Sequence, residues 1–356
     1  MELRLSLIFR QLFDQVSSTY TYLVADERTR EAVLIDPVFE QHARDVALLR
    51  EIGLKLRCVV DTHCHADHVT GAWLMKVALG SKIAVARQYG AENVDLPLDH
   101  GDSVVFGARL LQVRATPGHT AGCLSLVTDD RSHVFTGDAL LVRSAGRTDF
   151  QQGDPRRLFR SIHEQLFTLP DACLVYPAHD YDGRTSSTIA EERQYNPRIG
   201  GGAREADFVG YMRNLALPHP KQIAIALPAN LRSGQPEDRE VPAAPSWGPV
   251  VVTYAGLPEI APEWVASHRQ DVSVLDVRTA AEFEGELGHI GGAQLIPLDD
   301  LRARVSEVIA DKPVVVVCQT GRRAALGTVI LGKAGITRSA NLAGGMVRWR
   351  DLGLPS

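Results

Sequence analysis

Three histidines and an aspartate fall within seven positions, at Thr62-His63-Cys64-His65-Ala66-Asp67-His68. Imidazole nitrogens and carboxylate oxygens are ligands that zinc, iron and manganese accept, so this stretch reads as part of a metal centre. A lone histidine is usually a satisfied surface or core residue; four such groups at H-x-H-x-D-H spacing rarely are. Similar groups recur down the chain. His119 stands in Pro117-Gly118-His119-Thr120, Asp138 in Thr136-Gly137-Asp138, and His179 in Tyr176-Pro177-Ala178-His179-Asp180. Each follows a short apolar run, with Gly or Pro making the turn. The set His63, His65, Asp67, His68, His119, Asp138 and His179 therefore predicts ligands along one rim of a sheet. A second chemistry lies in Cys318-Gln319-Thr320-Gly321-Arg322-Arg323. Backbone N–H groups of such a turn, and the helix start behind it, favour an anion. With Arg322 and Arg323 they favour a thiolate at Cys318, a nucleophile in an anion cradle.

The elements that must hold these groups are legible in the apolar pattern. Cys58-Val59-Val60 reads as a buried strand and residues 69–79 as a helix, which puts the first motif on a strand-to-helix turn. Residues 20–24 and 31–35 predict a hairpin pair. Residues 45–52 predict a helix ending at Gly53. Further strands are expected at 83–86, 103–106, 110–114, 124–127 and 133–136, and helices at 155–166, 186–195 and 203–215. Two layers of sheet covered by helices fit this order. Pro, Ser and charge then accumulate between Pro228 and Pro258, the composition of a linker. Beyond it the pattern turns α/β: a strand at 272–277, a helix at 301–310, a fully apolar strand at 313–317 suited to a parallel sheet, and a helix at 323–333. The expected division is a first domain over 1–235, a linker over 236–256 and a second domain over 257–356.

Composition narrows the setting. The 356 residues are 45% hydrophobic and 23% charged, with a net charge of -5. Nothing here calls for nucleic acid or an anionic membrane as partner. The N-terminal residues lack a basic region followed by a long apolar core, and no run is long enough to span a bilayer. Five cysteines, without framework spacing, suit a reducing, cytoplasmic setting.

The order of the seven groups resembles the metallo-β-lactamase fold, an αββα sandwich with its metal at one edge. The resemblance runs from roughly Leu5 to Gly234. Within that fold, residues Arg143 to Gly153, Ala178 to Gly183 and Leu227-Pro228-Ala229-Asn230 resemble the persulfide dioxygenases. This implies one Fe(II) per chain held by His63, His119 and Asp138, with open positions for water, O2 and substrate. Two His and one carboxylate are the ligand set of non-haem Fe(II) oxygenases. His65, Asp67, His68 and His179 would then orient and tune the ligands from behind. Dinuclear hydrolases of the same fold use some of these for a second metal, so a glyoxalase-II-like thioester hydrolase, with metal-bound hydroxide as nucleophile, is the competing reading. The resemblance also makes Arg147 and Tyr181 candidates for holding a glutathione moiety, with a structural salt bridge as the alternative for Arg147. Asn230 is either a substrate contact or a turn residue.

The segment from about Leu257 to Leu354 resembles a single rhodanese domain, on Asp276-Val277-Arg278, Glu282-Phe283, Gly288-His289-Ile290-Gly291-Gly292-Ala293 and Gly344-Gly345-Met346. Its C-x4-R loop is one residue shorter than the C-x5-R loop of phosphatases of this fold, which suits sulfane sulfur. The resemblance implies that Cys318, framed by Gln319, Thr320, Gly321, Arg322 and Arg323, takes the outer sulfur of thiosulfate and passes it to glutathione. The whole chain resembles bacterial persulfide dioxygenase–rhodanese fusions. The implied partners are glutathione persulfide, glutathione, thiosulfate, sulfite and O2, and the implied assembly is a homodimer. A sulfur carrier or redox sensor with a structural metal is the non-enzymatic alternative, which multiple turnover would exclude.

Overall fold

The computed structural model describes residues 6–241 and 247–355. The chain divides into two compact units, Met1–Val241 and Pro242–Ser356.

The first unit holds two six-stranded sheets. In one, β1 (Leu7–Asp14), β2 (Thr19–Asp26) and β3 (Glu31–Ile35) run antiparallel, and β4 (Lys55–Val60), β5 (Lys82–Ala86) and β6 (Leu96–Leu98) continue it in parallel. The other contains β7 (Ser103–Phe106), β8 (Arg109–Ala115), β9 (Leu124–Thr128) and β10 (His133–Gly137). It is completed by β13 (Leu174–Pro177) and β14 (Ser187–Thr188), in the order β14-β13-β10-β9-β8-β7. Between them in sequence, β11 (Leu140–Leu141) and β12 (Ser144–Ala145) form a small hairpin.

Side-chain alternation sorts each strand between two cores. On β2, Tyr20, Tyr22 and Val24 pack with Phe106, Leu111, Leu126 and Phe135 in the space between the sheets. Leu23 and Ala25 point the other way, onto α1 (His42–Glu51) and α2 (Ala72–Leu79). On the second sheet Val127, Val134 and Val175 meet α3 (Pro155–Ser161), α4 (Ile189–Tyr195) and α5 (Glu205–Arg213). All eight residues of β2 are buried. Each large apolar side chain there contributes roughly 1.5–3 kcal/mol, which makes β2 a strand common to two cores. The result is the expected αββα sandwich.

The second unit is a sheet in the order β15-β16-β20-β19-β17-β18, from β15 (Val251–Val252), β16 (Pro258–Ile260), β17 (Ser273–Asp276), β18 (Gln294–Leu295), β19 (Val314–Val317) and β20 (Ser339–Leu342). All pairings but β15 with β16 are parallel. Val315 and Val317 face one core and Val314 and Val316 the other, as a strand covered on both faces requires.

Two expectations are corrected. The linker expected over 236–256 is narrower, because Trp247 and Val250 pack into the second unit and Val251–Val252 pair with β16; residues 242–246 lie outside the described residues. The helix expected over 301–310 is instead a short helix at Leu298–Leu301 and a 3-10 turn at Val305–Glu307. There the Gln294 side chain takes the Glu307 carbonyl (2.7 Å) and the Ile309 N–H (3.0 Å) in place of helical partners.

Candidate metal centre and thiol loop

The strand ends converge at one edge of the sandwich. His63 follows β4, His119 follows β8, Asp138 follows β10 and His179 follows β13. Among the described residues three groups have their donor atoms within 4.8 Å of one another: His63, His119 and Asp138; His65, Asp67, His68 and His179; and Asp36, Asp61 and His65.

Hydrogen bonds fix what the first group can offer. The Thr62 hydroxyl donates to Asp36 Oδ2 (2.8 Å), so its oxygen accepts from His63 Nδ1 (3.0 Å). His119 Nδ1 donates to the Arg147 carbonyl at 2.7 Å. Both rings are thereby held as Nδ1–H tautomers with bare Nε2 lone pairs. Asp138 Oδ2 stands 3.6 Å from His119 Nε2 and 4.0 Å from His63 Nε2. Burial pushes His63 and His119 toward the neutral form. Burial also works to raise the Asp138 carboxyl, but His179 and the neighbouring imidazoles hold it well below the usual carboxylate range. Two neutral imidazoles and an ionised carboxylate are the donor chemistry a divalent transition metal requires, so the residues fit such an ion. Gly146 runs against this group so closely that a Cβ there would stand 2.0 Å from the Asp138 carbonyl.

The second group is tied differently. His179 donates from Nδ1 to Asp138 Oδ1 (2.7 Å) and from Nε2 to Asp67 Oδ2 (2.9 Å). Carboxylates only accept, so neither ring nitrogen keeps a lone pair for an ion. Burial opposes the charged ring, and the two carboxylates outweigh it, raising His179 well above its ordinary value. The Thr19 hydroxyl lies 3.1 Å from Asp67 Oδ2 and 3.3 Å from His68 Nδ1. His65 Nε2 pairs with Asp36 at 3.1 Å.

The expected substrate contacts fall apart into three roles. Tyr181 is 73% exposed and its ring stacks over His179 at 6.1 Å, where a ligand can reach it. Arg147 is committed: Nε and Nη2 grip Asp149 (2.7 and 2.6 Å), and Nη1 and Nη2 hold the Pro218 and Leu217 carbonyls. One N–H of five is left, and the Asp149 pair has the geometry of a structural salt bridge. Asn230 is spent on the chain as well. It is 1% exposed, its Oδ1 accepts from Thr70 N (2.8 Å), and its Nδ2 donates to the His65 and His68 carbonyls (2.9 Å each). It clasps the H-x-H-x-D-H loop from behind, out of a substrate's reach.

Sequence reasoning missed Thr19 and Asp36. Asp36 directly follows β3, and the strand-end pattern that singled out Asp138 applies to it equally. Thr19 starts a strand on another part of the chain and carried no signal.

In the second unit, Cys318 directly follows β19 and α6 (Arg322–Lys333) begins behind the loop. Cys318 is buried, and the Gly321 N–H points at its sulfur, 3.1 Å away. Gly321 takes φ +90°, a left-handed turn that suits glycine. Gln319, Thr320 and Arg322 are exposed. Arg323 is gripped by Glu282, Nη1 to Oε2 at 2.7 Å and Nη2 to Oε1 at 2.5 Å. Behind the loop, Arg278 and Asp276 form a fully buried ion pair at 2.7 Å.

Comparison with known proteins agrees with both halves. Residues 14–179 match the metallo-beta-lactamase superfamily and residues 261–352 the rhodanese-like domain. The chain is 53% identical over 229 residues to the human protein named persulfide dioxygenase ETHE1, mitochondrial, covering 64% of this chain and 89% of that one. A crystal structure of ETHE1 from Myxococcus xanthus is similar with a TM-score of 0.62 at 50% identity, covering 64% of this chain and 99% of that one. A metallo-beta-lactamase structure from Staphylococcus aureus shares the fold along 96% of this chain and 99% of its own, with a TM-score of 0.61 at 22% identity.

Proposed function

The chain belongs to the ETHE1 persulfide dioxygenase family of the metallo-beta-lactamase superfamily and carries a rhodanese-like domain after it, and from this premise we propose that it oxidises glutathione persulfide at one Fe(II) and moves sulfane sulfur through Cys318. The oxidation is glutathione persulfide plus O2 and water to glutathione, sulfite and two protons. The observation that carries a one-metal oxygenase over a two-metal hydrolase is His179, whose two nitrogens both donate to carboxylates while His63 and His119 each keep a bare Nε2.

His63, His119 and Asp138 would hold the iron, which when bound supplies redox chemistry and open positions for O2 and a sulfur ligand. The remaining work belongs to the chain. Thr62 and the Arg147 carbonyl keep the two imidazoles in the ligating tautomer. His179 holds Asp138 Oδ1 and so leaves Oδ2 facing His63 and His119. Phe150 sets its edge on His119 at 5.9 Å, and with Tyr181 on the His179 side it gives the site an aromatic rim. Tyr181 is the contact we assign to the glutathione moiety.

At the second site the Cys318 thiolate attacks the outer sulfur of thiosulfate. A new S–S bond forms, the bond to the sulfonate sulfur breaks, and sulfite leaves with the electron pair. Glutathione then removes the outer sulfur and becomes the oxygenase's substrate. One chain carrying both sites raises the effective concentration of each for this shared intermediate. The test is stoichiometry with thiosulfate, catalytic glutathione and air. The proposal expects two sulfites per thiosulfate and per O2 consumed. One sulfite per thiosulfate, with no O2 uptake, would sink the coupling.

A further inference from the structure

Glu282 has two attachments. Inside its own turn it is the third residue of a helix capped by Thr279: the Thr279 hydroxyl accepts from Glu282 N at 3.3 Å, and Glu282 Oε2 accepts from Thr279 N at 3.0 Å. Across the fold, the same carboxylate grips both terminal nitrogens of Arg323. Arg323 therefore meets the Cys318 loop as half of a neutral pair. Arg322, the other loop arginine, is exposed and has no ion pair among the described residues. The nearby Asp276 is cancelled by Arg278. Of the two loop arginines, Arg322 alone is thus left without a paired carboxylate among the described residues.

We propose that Glu282 is a specificity-determining residue of the sulfur-transfer site, holding Arg323 so that the loop disfavours a dianionic sulfonate donor relative to a persulfide donor. This rests on the reading of Cys318 as the sulfur carrier. Both donors perform the same displacement. From thiosulfate, the thiolate gains the outer sulfur and sulfite leaves with the electron pair. From glutathione persulfide, the thiolate gains the outer sulfur with its proton and glutathione thiolate leaves. They differ in charge at the loop: thiosulfate brings two negative charges beside the transferred sulfur, and a persulfide end brings at most one. With Arg323 engaged, the second charge of the sulfonate has no partner.

Glu282→Gln in the full chain is the clean perturbation, because Gln serves equally at this position of a capping box and only the negative charge facing Arg323 is removed. The measurement is kcat/KM for loading Cys318 from thiosulfate and from glutathione persulfide. The ratio should shift toward thiosulfate by roughly two- to fivefold, the size a partly exposed ion pair carries. The shift should lie mainly in KM and shrink at high salt. Adding Glu282→Gln to Arg323→Gln should produce no further shift. An unchanged ratio, or an equal loss for both donors, would overturn the assignment and leave Glu282 a structural residue. Sulfur transfer persisting in Cys318→Ser would instead overturn the carrier reading itself.

Discussion

Replacing Asn230 separates two roles that the same residue could play. Its amide makes three hydrogen bonds inside the first unit, one from Thr70 N and two to the His65 and His68 carbonyls. Asn230→Ala leaves a buried N–H and two carbonyls unpaired. At about 1 kcal/mol per bond the cost is about 3 kcal/mol. For a unit of this size 1 kcal/mol moves Tm by about 2–4 °C, so the transition of the first unit should fall by about 6–12 °C. The loop that loosens carries His63, and partners behind a metal ligand are worth roughly 10–100-fold in metal affinity. Asn230→Asp is the sharper variant. It keeps the acceptor for Thr70 N but sets a carboxylate against two carbonyls, so it should be no more stable than alanine. Scanning calorimetry of the metal-loaded chain and competition with a chelator read both effects. Wild-type melting and metal retention with a raised KM for glutathione persulfide would refute this reasoning and make Asn230 a substrate contact.

Other outcomes are equally definite. Asp138→Ala should remove bound iron and O2 consumption together and spare sulfur transfer; full iron content in this variant, by elemental analysis, would refute the ligand assignment. Cys318→Ser should abolish persulfide formation, read by mass spectrometry after thiosulfate, and leave O2 uptake with glutathione persulfide intact. Arg323 pulls the Glu282 carboxyl from 4.5 to about 2. A depressed carboxyl adds stability above its unfolded value that is lost as pH falls through its folded one, so the second unit should weaken between about pH 4.5 and 2. Glu282→Gln should flatten that stretch of its melting curve.

Period and punctuation carried much of this fold. The run Val314–Val317 could only be a strand covered on both faces, and the residue after each apolar strand marked the rim where His63, His119, Asp138 and His179 meet. What the pattern hid was pairwise. β1 is only partly buried and shows no clean alternation, so it emerges only as the partner of β2. Arg147 and Asn230 are polar residues near motifs, and spacing cannot tell a side chain aimed at a ligand from one spent on a neighbour. Arg147 is spent on Asp149 and the Leu217 and Pro218 carbonyls, Asn230 on the backbone of His65, His68 and Thr70. Arg323 belonged to the anion cradle until Glu282, 41 residues earlier in the chain, was placed against it.

The most direct test of the central claim is an oxygen electrode trace on adding glutathione persulfide to the iron-loaded chain. The account predicts rapid, enzyme-dependent O2 uptake with sulfite appearing in equal amount. No uptake from chain shown to contain iron, with hydrolysis of S-lactoylglutathione in its place, would contradict it.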